Sequence, residues 1–149
     1  MQGIITIKEV LNRDSDTLER WQGPLYEYVQ ADRIFKRMYE LYTPESEILH
    51  SLKAKLPKAK VITISAYWCP DCRRNVPRMA RIAEYLPDWE FEVRIHDKNS
   101  GPGELGIPKI PAFIVIDSAG KEIGRIIENP KYKNLEEDLL RIVERNYDT

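Results

Sequence analysis

Cysteine is scarce in this chain, with only Cys69 and Cys72 among 149 residues. That excludes a secreted scaffold stapled by several disulfides. Histidine is equally scarce, at His50 and His96. With the two cysteines these could supply four zinc ligands, but their spacing does not match a structural zinc pattern. No run approaches the ~20 apolar residues that a membrane span needs. Neither sign of charge dominates: 23 basic and 24 acidic residues leave a net charge of −1. No global field therefore points to nucleic acid or a membrane surface. Met1-Gln2-Gly3-Ile4 lacks a basic region leading into an apolar run, so no signal peptide is expected. Together with a C-x-x-C pair, this places the chain in a reducing cytoplasm. No internal repeat, low-complexity tract or long linker divides it. The expectation is one domain over residues 1–149, long enough to bury a proper core.

The residues present are organised around Tyr67-Trp68-Cys69-Pro70-Asp71-Cys72. Val61-Ile62-Thr63-Ile64-Ser65-Ala66 before it reads as a buried strand, and a helical pattern runs from Arg73 to Leu86 after it. Cys69 thus stands just ahead of a helix, where unpaired N–H groups and the helix dipole favour an anion. A thiolate is such an anion, and it is the nucleophile of disulfide exchange. Two intervening residues put Cys72 on the first turn, within bonding reach of Cys69. Pro70 suits the first helical position. Val76, Met79, Ala80, Ala83 and Leu86 give this helix an apolar face, while Arg73, Arg74, Arg78 and Arg81 line the others. Arg73 and Arg74 follow the cysteines directly and are expected to offset Asp71 and to face acidic partners.

These residues resemble the thioredoxin family. The resemblance rests on Trp68 before Cys69 and on Pro77, eight residues after it. It rests also on Ile110-Pro111 ahead of the apolar run Ala112-Phe113-Ile114-Val115-Ile116, and on a hairpin turn at Ser118-Ala119-Gly120-Lys121. It covers residues 58–149. It implies a thioredoxin-like α/β fold, a central mixed β-sheet flanked by helices, with residues 1–57 as a mainly helical N-terminal extension. It implies thiol–disulfide exchange on protein disulfides. Cys69 would attack as nucleophile and Cys72 would resolve the mixed disulfide, leaving a Cys69–Cys72 disulfide. Trp68, Ile110 and Pro111 would shape the docking surface, and Pro70, Asp71 and Arg73 would modulate the pair. No cofactor or metal is implied beyond the redox-active pair and an external electron donor, a reductase or thiol donor. The proline loop is expected to be cis and to face the cysteines. Pro108 is the rival for that role, and Pro111 is preferred because it directly precedes the strand.

The chain departs from the family at three places. Between the cysteines thioredoxins usually carry Gly-Pro, and here the pair is Pro70-Asp71, with Asp71 the informative change. Its charge opposes a thiolate at Cys69, so a more reducing protein is expected. Thr63, six residues before Cys69, stands where thioredoxins place a buried acid. Asp71, Glu92 and Asp97 are the candidate substitutes. Ile127-Glu128-Asn129-Pro130 replaces a glycine-containing loop beside the active site, which points to a different partner set.

The rest of the chain yields coarser readings. Ile4–Ile7 reads as a short strand or the run-in to a helix. Ser15–Tyr42 is helical in pattern, broken into two helices at Gly23-Pro24. Thr43 is expected to cap a third helix with Pro44 at its first position, and Pro57 to stop it. Trp21, Tyr26, Tyr28, Phe35, Tyr39 and Tyr42 make the extension rich in aromatics. They read as packing on the core or as a surface for a partner or a homodimer. Trp89 to His96 alternates as a strand, followed by a polar loop from Asp97 to Gly106. His96 reads as a surface or structural residue at that strand's end. Asn134 can cap the last helix with Glu137 answering. Two alternatives to a general reductase stand beside it. One is a dedicated electron donor to a single partner enzyme, and the other is a non-catalytic binding module.

Overall fold

Val61-Ile62-Thr63-Ile64 offers no polar face to water, and it becomes the centre of strand β2 (Ala59–Ser65), buried along nearly its whole length. The structure, a computed structural model, describes residues 22–96 and 107–147. The readings for Ile4–Ile7, Ser15–Trp21 and the loop from Asp97 to Gly106 lie outside these residues. Around β2 a mixed sheet forms from β1 (Gln22–Pro24), β3 (Glu90–Ile95), β4 (Ala112–Asp117) and β5 (Glu122–Ile127), in the order β1-β3-β2-β4-β5. Among the described strands only β2 and β3 pair in parallel. A crossover is then required, and α4 (Pro70–Ala83) supplies it. The other helices among the described residues are α1 (Leu25–Gln30), α2 (Arg33–Leu41), α3 (Ser46–Lys55) and α5 (Leu135–Tyr147).

Side chains alternate across a strand, so the sheet splits its apolar residues between two clusters. Val61, Val93, Phe113 and Val115 meet Tyr28, Phe35, Leu52, Val76, Met79 and Leu139 from the helices. Ile62, Ile64, Ala112 and Ile114 gather with Ile107 on the other face. Tyr28 and Phe35 are fully buried, and burying one such side chain is worth roughly 1.5–3 kcal/mol. Two aromatics of the N-terminal segment therefore lie inside the same core as the sheet, while Tyr26 stays exposed.

Two local readings are corrected. Gly23-Pro24 is itself a strand: it lies in β1, with Gly23 opposite Val93 of β3 and a helix starting at Leu25 behind it, while the residues before Gln22 lie outside the described ones. An edge strand tolerates the missing N–H of Pro24. Between Leu25 and Leu41 the helical run breaks at Ala31-Asp32, where Asp32 accepts the N–H groups of Ile34 and Phe35 at 3.1 and 3.0 Å as the N-cap of α2. Thr43 and Pro44 do not open α3, which starts at Ser46 behind Glu45. The reason is tertiary. Glu136 of α5, fully buried, accepts the Tyr42 hydroxyl at 2.7 Å and the Glu45 N–H at 2.9 Å.

Other turns follow local chemistry. Gly120 takes a φ of +85° in the β4–β5 hairpin, a conformation open to glycine. Asn134 Oδ1 accepts the Glu137 N–H at 2.9 Å at the start of α5. The Glu137 carboxylate turns to Arg141 at 3.4 Å instead of completing a reciprocal box.

Candidate functional site

The chain leaves β2 through a tight turn in which the Cys69 N–H donates to the Ala66 carbonyl at 3.3 Å. Pro70 occupies the start of α4, where its missing N–H is no loss. Cys69 keeps extended backbone and acts as the helix N-cap, its Sγ accepting the Cys72 N–H at 3.3 Å. The sulfur thus sits where helix-terminal amides favour negative charge. Both cysteines are free thiols. Cys69 is 6% exposed and Cys72 not at all. Burial pushes the Cys72 thiol well above its ordinary range, and its hydrogen bond with Cys69 adds to this. The Ala66 backbone and the Ser65 side chain pull the other way. The two sulfurs therefore differ in environment: one caps a helix beside a cleft, the other is enclosed.

Opposite Cys69 the Ile110–Pro111 peptide is cis, as expected for Pro111 over Pro108. Cys69 Sγ donates to the Ile110 carbonyl at 3.7 Å. A cleft of about 370 Å³ runs past this point, lined by Trp68, Cys69, His96, Pro108, Lys109 and Glu128 among others. Trp68 is 52% exposed at its edge. Glu128 has a φ of +65°, uncommon for a residue with a side chain. Its N–H donates to the Pro111 carbonyl at 2.7 Å, and its own carbonyl accepts from buried Asn75 Nδ2 at 2.8 Å. Its carboxylate pairs with Lys109 at 3.4 Å. The loop read as a family departure thus occupies the cleft with an ion pair.

His96 stands just past the end of β3, as the sequence reading has it, and the fold also brings it to the cleft. Parallel pairing sets Ser65 beside Ile95, and the His96 N–H donates to the Ser65 carbonyl at 2.8 Å. That carries the side chain to the cleft. The signal was the parallel register, invisible along the chain. Asp71 pairs with Arg74 at 2.5 Å, so Arg74 offsets its charge. Arg73 instead donates from Nε to the Tyr67 carbonyl at 3.0 Å and braces the turn. Of the candidate substitutes for a buried acid, Asp71 faces Arg74, Glu92 faces Lys60 and Arg94, and Asp97 lies outside the described residues. Among the described residues no three or more His, Cys, Asp or Glu side chains are grouped to hold a metal ion. None of the described helices is long and apolar enough to cross a membrane.

A mixed sheet with a parallel βαβ unit, a dithiol at the following helix's N-terminus and a cis-proline opposite it define the thioredoxin-fold class. A family model described as Thioredoxin matches residues 20–138, and the chain belongs to the thioredoxin family. The match begins well before residue 58 and takes in most of the N-terminal segment. The chain is similar to Thioredoxin H-type 1 of Nicotiana tabacum, 28% identical over 85 residues, 56% of this chain and 66% of that protein. It thus spans just under two thirds of that relative's length. Among solved structures it is similar to a protein of unknown function, PA1234, from Pseudomonas aeruginosa. There the TM-score is 0.52 and the identity 15%, over 83% of this chain and 98% of that one. A thioredoxin from Fasciola hepatica aligns with a TM-score of 0.45 and 21% identity, over 67% of this chain and 91% of that one. Family membership supports a thiol–disulfide oxidoreductase at a coarse level.

Proposed function

We propose that this chain reduces protein disulfides through a Cys69/Cys72 dithiol–disulfide cycle. The observation that carries the reading is the asymmetry of the pair. Cys69 caps α4 with its sulfur beside a cleft and a cis-proline loop, and Cys72 is sealed behind it. In the first step the Cys69 thiolate attacks a substrate S–S bond. A mixed disulfide forms, and one substrate sulfur leaves and takes up a proton. Cys72 then attacks Cys69 Sγ, the second substrate sulfur leaves, and the Cys69–Cys72 disulfide forms. Two electrons have passed to the substrate. An external reductase or thiol donor returns them, and no further cofactor takes part.

Trp68, Ile110 and Pro111 form the docking edge in this reading. Pro70 sets the helix start. Asp71, with its charge shared by Arg74, and Arg73, which braces the turn, modulate Cys69. The Lys109–Glu128 pair makes the cleft polar and narrows the choice of partner. The cytoplasm is the compartment in which such a cycle is kept reduced.

The test is a redox titration in dithiol buffers that follows tryptophan fluorescence and free thiol count together, with Cys69→Ser and Cys72→Ser as controls. A reversible two-electron couple at a strongly reducing potential is the expected outcome, with Cys69 alkylated about tenfold or more faster than Cys72 near neutral pH. Equal alkylation rates and no couple would leave a non-catalytic binding module. A strongly oxidising couple would make the chain an oxidase or isomerase.

A further inference from the structure

Glu128 is fixed into the wall of the cleft by its own backbone. Its φ of +65° is a conformation that residues with a side chain seldom take. The Glu128 N–H donates to the Pro111 carbonyl at 2.7 Å. The buried Asn75 amide of α4 divides its N–H groups between the Glu128 carbonyl at 2.8 Å and the Asn129 side-chain oxygen at 2.9 Å. The Asn129 N–H closes back on the Ile127 carbonyl at 2.9 Å. Backbone held in a sparsely populated region by its surroundings is a feature of ligand clamps.

This fixture lies beside the reacting sulfur. Pro111, whose carbonyl holds Glu128, directly follows Ile110, whose carbonyl accepts from Cys69 Sγ at 3.7 Å. Glu128 and Cys69 line the same cleft, and Lys109 and His96 are the other ionisable side chains that line it among the described residues. Lys109 meets the Glu128 carboxylate at 3.4 Å, but the two partners are unequal. The lysine side chain is 69% exposed, on a long flexible stem, whereas the glutamate side chain is 33% exposed and starts from a fixed backbone. An exposed ion pair gains little over solvation of its two ends. The ammonium can therefore leave for water at small cost, and the carboxylate stays where the backbone puts it.

We propose that Glu128 is a specificity-determining residue that selects protein disulfides with a basic side chain beside the reactive cysteine, and that Lys109 holds this place until such a substrate docks. The inference rests on the dithiol cycle proposed above and names the substrate class that cycle serves. An extended segment on the docking edge advances about 3.3 Å per residue. A side chain one or two residues from the substrate cysteine thus falls within reach of Glu128. A guanidinium there can engage both carboxylate oxygens, which the Lys109 ammonium does only as a point charge. Lys109 then swings out to water. An acidic side chain in the same place meets a fixed like charge. No bond is made or broken beyond those of the cycle.

The experiment measures how fast three cyclic disulfide peptides oxidise the reduced full-length chain, followed by tryptophan fluorescence. The peptides differ only in the residues flanking the disulfide, which are arginine, alanine or glutamate. Their rates with dithiothreitol give the ratio intrinsic to the peptides, and the ratio for the protein is divided by it. At low salt the arginine peptide is expected to react about tenfold faster than the glutamate peptide, the worth of a charge-assisted hydrogen bond. Glu128→Gln keeps the side-chain shape and the backbone bonds, and should bring that ratio down to about one. Lys109→Gln removes the competing cation and should raise the arginine-peptide rate about threefold. A native ratio near unity, an undiminished ratio in Glu128→Gln, or faster reaction of the glutamate peptide overturns the proposal. Should Glu128→Gln fail to fold, an arginine-peptide rate that does not rise in Lys109→Gln overturns it. Failure of every peptide to oxidise the native chain overturns the dithiol cycle itself, a result distinct from these.

Discussion

Asp117 ends β4 and holds the following turn through several donors at once. Its carboxylate accepts the N–H groups of Lys121 and Ala119 at 2.9 and 3.0 Å and the Tyr147 hydroxyl at 2.9 Å. The Lys121 N–H, then the Tyr147 hydroxyl, hold its carboxyl below the usual aspartate range. A carboxyl lowered in the folded state contributes stability above its unfolded value and loses it as pH falls through the folded one. Asp117→Asn is therefore expected to lower the urea midpoint most at neutral pH. The gap from the native chain should close as pH drops below the ordinary aspartate range. A gap that stays constant with pH would assign the effect to something other than this charge. At this scale the sequence was readable where a residue's role depends on its near neighbours. Cys69 and Pro70 declare themselves by standing at a helix start, and Gly120 by standing in a two-strand turn. His96 and Glu128 did not declare themselves, because their positions come from strand register and from the loop facing Pro111.

Helix boundaries show the same division. Asp32 caps α2 by chemistry contained within four residues, and the signal was present in the sequence. Gly23-Pro24 is the stronger breaker signal in the same stretch and masks it. Asp32→Ala is expected to cost about 1 kcal/mol, the usual worth of such a cap. Urea unfolding of the two chains measures it, and an unchanged midpoint would mean that packing of Phe35 alone sets the start of α2. Gly23-Pro24 does break a helical pattern, but what it yields is an edge strand, because β3 offers an unpaired side there. A three-residue strand has almost no signature of its own. The α3 start fails for the opposite reason: Thr43-Pro44 is a good local start that a buried carboxylate from α5 displaces.

For the molecule as a whole, that carboxylate ties the N-terminal segment to the C-terminal helix. Glu136 joins Tyr42 and Glu45 across 94 and 91 residues of sequence. Burial, then the bond to Glu136, raises the Tyr42 hydroxyl pKa, so it stays a donor to the carboxylate throughout the ordinary pH range. Glu136→Ala would leave a tyrosine hydroxyl and a backbone N–H without their partner. The expected loss is about 1–3 kcal/mol for each orphaned group. Equilibrium unfolding is the measurement. A change no larger than the roughly 0.5 kcal/mol of an ordinary surface substitution would show that water satisfies both groups. The described part of the segment before residue 58 is thus built into the molecule through the pairing of β1 with β3, through Glu136 and through the Tyr28–Phe35 cluster in the core.

By itself the sequence determined the buried strand ahead of the cysteines, the helix behind them, the Gly120 hairpin and the Asn134 cap, while the cis-proline loop was legible through the family resemblance. Each depends on steric limits or hydrogen bonds within a few residues, and these act before any distant contact forms. Only the tertiary structure decided that Gly23-Pro24 would edge the sheet and that His96 would reach the cleft. It alone placed Glu136 at the start of α3 and Tyr28 against Ser65 and Tyr67. Those placements come from pairings tens of residues apart, between groups that no local pattern joins, and they gain their energy only once burial removes water from both partners.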